Sequence, residues 1–245
     1  MNPKLVVCFL NQTNGSPVLP QVWEDFFRHG RGRAVPLIHA KLSPCREWEK
    51  HCIADTVPTE WGHVSLVEAT VKLFDEAFDR FPTATRFALC SESCVPLRPA
   101  REIVDIFDSF GDLPTFHTPE IFTDEVRRLR AQEGDVNFRS SFRLHSQWIT
   151  MSRVAWQEMR HLLTLNLRAF GTFTAPDEFA FATTARLLDM PYLSHETTLA
   201  LRSPGQRHPS VLDEIGRGFL RSPRSEGTVF ARKVHEWTRF GLSLR

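Results

Sequence analysis

At 245 residues, 42% hydrophobic and 24% charged, the chain carries enough apolar material to bury a full core, and a single domain over 1–245 is expected. Its 30 basic and 29 acidic side chains leave a formal charge of +1, which excludes a general affinity for nucleic acid or membrane surfaces. No run approaches the roughly 18 apolar residues of a membrane span, and residues 1–10 are too short and too weakly charged for a signal peptide.

Leu5 to Leu10 is a continuous apolar run closed by the polar turn Asn11 to Ser16, the pattern of a buried parallel strand. Pro20 to His29 predicts a helix with Val22, Trp23, Phe26 and Phe27 inward and Gly30 as its stop. A second strand is expected over Ala34 to His39. Apolar residues then recur at Val64, Val67, Val71, Phe74 and Phe78, flanked by Leu66, Leu73 and Ala77, so one broad helical face can pack on a sheet until Pro82 ends it. Arg86 to Cys90 reads as a buried strand, and Ser91-Glu92-Ser93-Cys94 follows it at the place where α/β proteins keep their ligands. Beyond it, helices are expected over Pro99 to Phe110, Arg153 to Leu165 and Pro176 to Leu188, with a strand over Gln147 to Met151. Alternation of this kind implies an α/β fold with a mainly parallel sheet. The charged stretch from Glu120 to Ser140 is expected to form a lid.

The five cysteines, Cys8, Cys45, Cys52, Cys90 and Cys94, are odd in number and follow no secretory signal, so reduced thiols are expected. Cys45, His51 and Cys52 lack a second ligand pair at zinc spacing. Gly-x-Ser-x-Gly, Gly-x-x-x-x-Gly-Lys and Gly-x-Gly-x-x-Gly are all absent, which removes motif support for common hydrolase, ATPase and dinucleotide-binding readings.

Trp61-Gly62-His63-Val64-Ser65, Leu89-Cys90-Ser91-Glu92-Ser93-Cys94-Val95-Pro96-Leu97 and Ser146-Gln147-Trp148 resemble the core-2/I-branching β-1,6-N-acetylglucosaminyltransferase family, most closely its plant-type, xylosyltransferase-related branch. The likeness continues in the family's order at Pro176-Asp177-Glu178-Phe179, His208-Pro209 and Phe230-Ala231-Arg232-Lys233. It implies a GT-A-type glycosyltransferase fold and an inverting transfer of N-acetylglucosamine, xylose or glucuronate from a UDP-sugar to a hydroxyl of a glycan or glycoconjugate acceptor. Eukaryotic relatives are held in the Golgi by an N-terminal helix. A cytoplasmic location is therefore expected of the chain as written, and a Golgi one if it is trimmed from a eukaryotic enzyme.

Sugar transfer from a nucleotide needs a base for the acceptor hydroxyl, positive charge for the departing diphosphate, and walls that align the two sugars. The chain has no Asp-x-Asp with which to hold a metal. Glu133-Gly134-Asp135 comes nearest and reads as a polar turn, so no metal cofactor is expected. Cationic side chains must then meet the phosphates, and residues 201–245 hold nine Arg and Lys against four acids. The resemblance places Lys233 on the diphosphate, with Arg232 beside it and Arg207 or Arg217 as a further cation; Arg202 stands where plant-type relatives have tryptophan. It makes Glu178 the general base, and Asp177 a capping or acceptor-positioning residue. Pro176 at a helix start would in any case favour acids in that first turn. Asn11, Gln12 and His39 correspond to where relatives receive uracil and ribose, with Ser91, Glu92 and Ser93 under the donor. Gln147 and Trp148 are candidates for the acceptor wall, and Trp61 carries the same two readings, wall or core. The alternative is a catalytically inactive module that binds a nucleotide sugar or glycan; a hydrolase on a similar sheet is the other.

Overall fold

A computed structural model describes residues 2–11, 15–41, 47–118, 140–201, 209–220 and 228–245, with the backbone alone at 217 and 218. Arg202, Arg207, His208, Gln12, Cys45, Glu133, Asp135, the side chain of Arg217 and nearly all of the expected lid lie outside the described residues.

Strands β1 (Leu5–Asn11), β2 (Ala34–Ala40) and β3 (Arg86–Ser91) form the centre of a sheet ordered β2-β1-β3-β5, in which β1 pairs in parallel with both neighbours. Every residue of β1 is buried, as a strand covered on both faces requires. The edge strand β5 (Thr150–Ser152) runs antiparallel to β3, with Ala88 opposite Thr150. It is shorter and later than the expected Gln147 to Met151, because the ladder to β3 is regular only from Thr150 onward.

Alternate residues of β1 to β3 supply two cores. Val6, Cys8, Leu37, Phe87 and Leu89 meet helices α2 (Ser65–Arg80), α4 (Arg153–Leu165) and α6 (Ala180–Leu187) on one face. Leu5, Val7, Phe9, Ile38 and Ala88 meet α1 (Pro20–His29) and α3 (Ala100–Ser109) on the other; α5 (Leu167–Phe170) is a single turn after α4. The apolar stripe of α2 buries Val67, Val71 and Phe74, whereas Phe78 lies at its rim, its ring carrying the guanidinium of Arg153 at 3.8 Å. Trp156 donates to Asp75 at 3.0 Å, joining α4 to α2.

Gly30 ends α1 in a right-handed conformation, so a left-handed turn is not why glycine stands there. A Cβ would come within 2.8 Å of the Ala100 Cβ, so the absence of a side chain lets α1 and α3 meet. At the base of β3, the buried Arg86 guanidinium donates to the carbonyls of Phe107, Gly111 and Leu113, satisfying the end of α3.

A second sheet, β4 (Val95–Pro96), β8 (Phe230–Arg232) and β6 (Thr198–Ala200), stands against the carboxyl end of β3, with β4 antiparallel and β6 parallel to β8. A parallel pair, β7 (Glu214–Ile215) and β9 (Arg239–Phe240), lies beyond it, with the single turn α7 (Arg217–Leu220) between β7 and β8. No helix among the described residues is long and apolar enough to cross a membrane.

Candidate active site

The site is built where β1, β2 and β3 end. Asn11 closes β1 and is buried, with neither its Oδ1 nor its Nδ2 hydrogen-bonded among the described residues. His39, one residue short of the end of β2, accepts the Val57 N–H on Nε2 at 2.8 Å. Its proton is therefore on Nδ1, which is buried without a partner among the described residues, and burial lowers its pKa. Because Leu10 pairs with His39 and Asn11 with Ala40, the two polar side chains leave the sheet on opposite faces.

After β3 the chain turns through Ser91-Glu92-Ser93-Cys94. The Ser91 and Ser93 hydroxyls lie 3.1 Å apart, and the Cys94 sulfur accepts the Ser91 N–H at 3.3 Å. The turn is fastened on three sides: the Glu92 carbonyl accepts from Val18, the Ser93 carbonyl from Val234, and the Cys94 carbonyl from the Trp23 indole. Cys8, Cys52, Cys90 and Cys94 form no disulfide.

The expected helix over Pro176 to Leu188 is divided. Pro176–Glu178 is a 3-10 turn entered through Ala175 in a left-handed conformation, φ 54 and ψ 52, and α6 begins only at Ala180. Asp177 caps no helix. It is buried, its Oδ1 finds no partner among the described residues, and burial, with the neighbouring Glu178, raises its pKa to about 7. Glu178 is exposed and the adjacent side chain is not, so the turn presents one carboxylate to solvent and keeps the other inside. Its entry is braced by Gly62, whose carbonyl accepts the Ala175 N–H at 2.8 Å, and this sets Trp61 beside it, 73% exposed.

The segment 145–149 connects this turn to the end of β3. His145 donates its main-chain N–H to the Glu178 carbonyl at 2.7 Å, and the Leu89 N–H donates to the Ile149 carbonyl at 3.0 Å. Between them Trp148 is only 6% exposed, and its ring carries the Arg232 guanidinium at 4.1 Å. Trp148 is thus a seat for a cation more than an open wall; Trp61 is the exposed indole of the two. Gln147 is half-buried in the same segment. On β8, Arg232 is half-buried and Lys233 follows it exposed, its carbonyl held by the Leu212 N–H at 2.9 Å.

The sequence model of the core-2/I-branching enzyme family matches residues 7–202. The chain belongs to the core-2/I-branching family. Membership makes it a glycosyltransferase, with a sugar donor and a glycan acceptor, and its sheet with helices on both faces is consistent with the GT-A-like fold of that family. No curated protein matches the chain. The matched segment of this core-2/I-branching chain holds Asn11, His39, the 91–94 turn, Trp148 and Glu178, and stops short of β8 with Arg232 and Lys233. Among the described residues, no three His, Cys, Asp or Glu converge as metal ligands.

Sequence reasoning missed His145. Its Nδ1–H donates to the Ser146 carbonyl at 2.7 Å, leaving Nε2 buried with no partner among the described residues, and burial lowers its pKa to about 4. The only signal for it was its place just before Ser146-Gln147-Trp148. Sequence reasoning also missed the His235–Trp237 stack, rings 3.6 Å apart, for which no pattern exists.

Proposed function

We propose that the chain is an inverting, metal-independent glycosyltransferase that moves N-acetylglucosamine, xylose or glucuronate from a UDP-sugar to a glycan hydroxyl. The observation that carries this reading is the segment 145–148, which hydrogen-bonds to Glu178 at one end and seats Arg232 on Trp148 at the other. One short stretch of chain thereby links an exposed carboxylate to a cation at the carboxyl end of β3, the pair of charges that acceptor activation and diphosphate departure require.

In this reading the uracil meets the Asn11 amide, whose donor and acceptor, without partners among the described residues, complement an imide edge, and Gln12 and the His39 Nδ1–H serve the ribose side. The Ser91-Glu92-Ser93 turn supports the sugar. Lys233, with Arg232 and Arg207, neutralises the diphosphate as it leaves. Glu178 takes the acceptor proton, and the freed oxygen attacks the anomeric carbon opposite the departing UDP, so an α-linked donor gives a β-linked product. Trp61, exposed beside the Glu178 turn, forms the acceptor wall with Gln147, and Asp177, its pKa raised to about 7 by burial and by Glu178, serves the acceptor side from inside the same turn.

The test is UDP release from a panel of UDP-sugars with glycan acceptors, with and without excess chelator, and the product anomer read by NMR. Acceptor-dependent release unaffected by chelator, with inversion, is the expected result. UDP binding without turnover on any acceptor would favour an inactive binding module, sugar release without an acceptor a hydrolase, and loss of release in chelator would overturn the role given to the cations.

A further inference from the structure

The turn that follows β8 carries an exposed indole that the transfer chemistry above does not use. Trp237 is 60% exposed, and its ring stacks on the His235 imidazole with centroids 3.6 Å and planes 25° apart. The backbone beneath the stack is closed. Thr238 donates its N–H to the His235 carbonyl at 3.0 Å, which makes a tight turn with Glu236 and Trp237 at its corners, and the His235 N–H donates to the Thr238 hydroxyl oxygen at 2.9 Å. That hydroxyl in turn donates to the Leu212 carbonyl at 2.7 Å, and the Arg239 N–H donates to the Asp213 carbonyl at 2.9 Å. The imidazole covers one face of the indole, and among the described residues no other ring or guanidinium packs on it.

This turn belongs to the piece of structure that holds Lys233. Leu212, which accepts from Thr238 on its carbonyl, donates its own N–H to the Lys233 carbonyl at 2.9 Å, and the Val234 N–H donates to the Ser93 carbonyl at 2.9 Å. Trp237 lies four residues beyond Lys233, so their Cα atoms are at most about 14 Å apart, within the span of a short oligosaccharide.

We propose that Trp237, stacked on His235, is a platform for a pyranose of the glycan acceptor, a unit outside the one that is glycosylated. The proposal rests on the reading that puts Lys233 at the donor diphosphate, and on the glycan acceptor that family membership supplies. One face of a pyranose presents C–H bonds, the apolar part of an otherwise polar ring. Their hydrogens are drawn to the electron-rich face of an indole, while the hydroxyls at the ring's edge stay in water. A neutral sugar therefore gains by lying flat on an exposed indole without stripping its hydroxyls of solvent. Because the stack and the closed turn fix the indole beforehand, little ordering cost is left for binding. Exposure decides which sugar it takes: the donor sugar lies on the Ser91-Glu92-Ser93 turn under its nucleotide, whereas an outer acceptor unit keeps one face in solvent, as an indole 60% exposed requires.

The experiment is fluorine NMR of the chain labelled with 5-fluorotryptophan, titrated with lactose, N-acetyllactosamine, cellobiose and xylobiose at millimolar concentrations, with and without UDP. Loss of a resonance in Trp237→Phe assigns Trp237, ligand-detected NMR titration gives glycan affinities for the variants, and melting curves confirm folding. At least one glycan should move the Trp237 resonance saturably. Trp237→Ala should weaken that glycan about five- to tenfold, and Trp237→Phe and His235→Ala about threefold, the first by shrinking the aromatic face and the second by unpinning it. UDP affinity should stay within about twofold of wild type in all three. A Trp237 resonance that none of the four glycans moves overturns the proposal, as does equal glycan affinity in wild type and Trp237→Ala. If Trp237→Ala weakens UDP as much as glycan, the indole serves the donor and the proposal fails. If Lys233→Ala binds UDP like wild type, the placing of Lys233 fails, and the platform is still decided by the glycan affinity of Trp237→Ala.

Discussion

The main-chain N–H of His145 donates to the carbonyl of Glu178 at 2.7 Å, and three residues later the Trp148 ring lies 4.1 Å under Arg232. Thirty-three positions separate His145 from Glu178 and eighty-four separate Trp148 from Arg232, so neither contact is local. Through them an α6-side turn, the edge of the main sheet and the second sheet come to one place. The Glu178 carbonyl is fixed while its side chain stays exposed, which suits a base that must reach a hydroxyl from solvent and release its proton again.

Glu178→Gln keeps the shape of that side chain and removes its basicity. Turnover should fall by about two orders of magnitude or more, with UDP affinity within about twofold of wild type. Steady-state UDP release alongside calorimetry decides it: turnover at the wild-type rate would remove Glu178 from the mechanism.

Lys233 is exposed at the end of β8, with its backbone carbonyl already held by Leu212. Its side chain can therefore be removed without disturbing the strand. Lys233→Ala should weaken UDP about tenfold and reduce the salt dependence of binding, while Lys233→Arg should recover most of the loss. Equal affinity in the alanine variant would assign Lys233 to the solvated surface.

Much of this fold was legible in the chain, and the exceptions share a cause. α1 and α4 match their expected limits because Pro20, Gly30 and the Ser152 hydroxyl, which accepts the Ala155 N–H at 3.0 Å, are local start and stop signals. The helix expected from Pro176 failed at Phe179, whose φ of −150 breaks it. That ring is held in the core by Phe142 at 4.7 Å and Phe170 at 5.9 Å, contacts from distant segments that no local pattern announces. Likewise the Ser91–Cys94 turn was recognisable as a site from its place after a strand, but the seat that Trp148 makes for Arg232 depends on the register of β8 against β4, which sequence spacing does not encode.

Gly30 tests the packing of α1 on α3. A methyl there would lie 2.8 Å from the Ala100 Cβ and 3.1 Å from the Phe26 carbonyl, and neither is the end of a flexible chain. Gly30→Ala should cost about 1–3 kcal/mol of unfolding free energy. Adding Ala100→Gly should return part of it in a double-mutant cycle, since the two positions touch. Additive effects in chemical denaturation would show that the clash is relieved elsewhere.

Asp177 gives a prediction with a definite sign. Its folded pKa is raised to about 7 from an ordinary 3.8, first by burial and then by Glu178. Between those values the unfolded chain releases a proton that the folded chain keeps, so stability falls as pH rises from about 4 to about 7. Above that window the folded state carries the full cost, about 4 kcal/mol as a ceiling. Asp177→Asn cannot ionise, and its amide meets the same surroundings at every pH. Its stability relative to wild type should therefore rise across the window and level off above about pH 8, with the difference smallest near pH 4. Urea denaturation of both proteins at the two ends measures it. A difference that does not change with pH would mean that the Asp177 carboxyl ionises in the folded chain as readily as in the unfolded one, and the turn would then carry a buried charge beside the exposed one of Glu178.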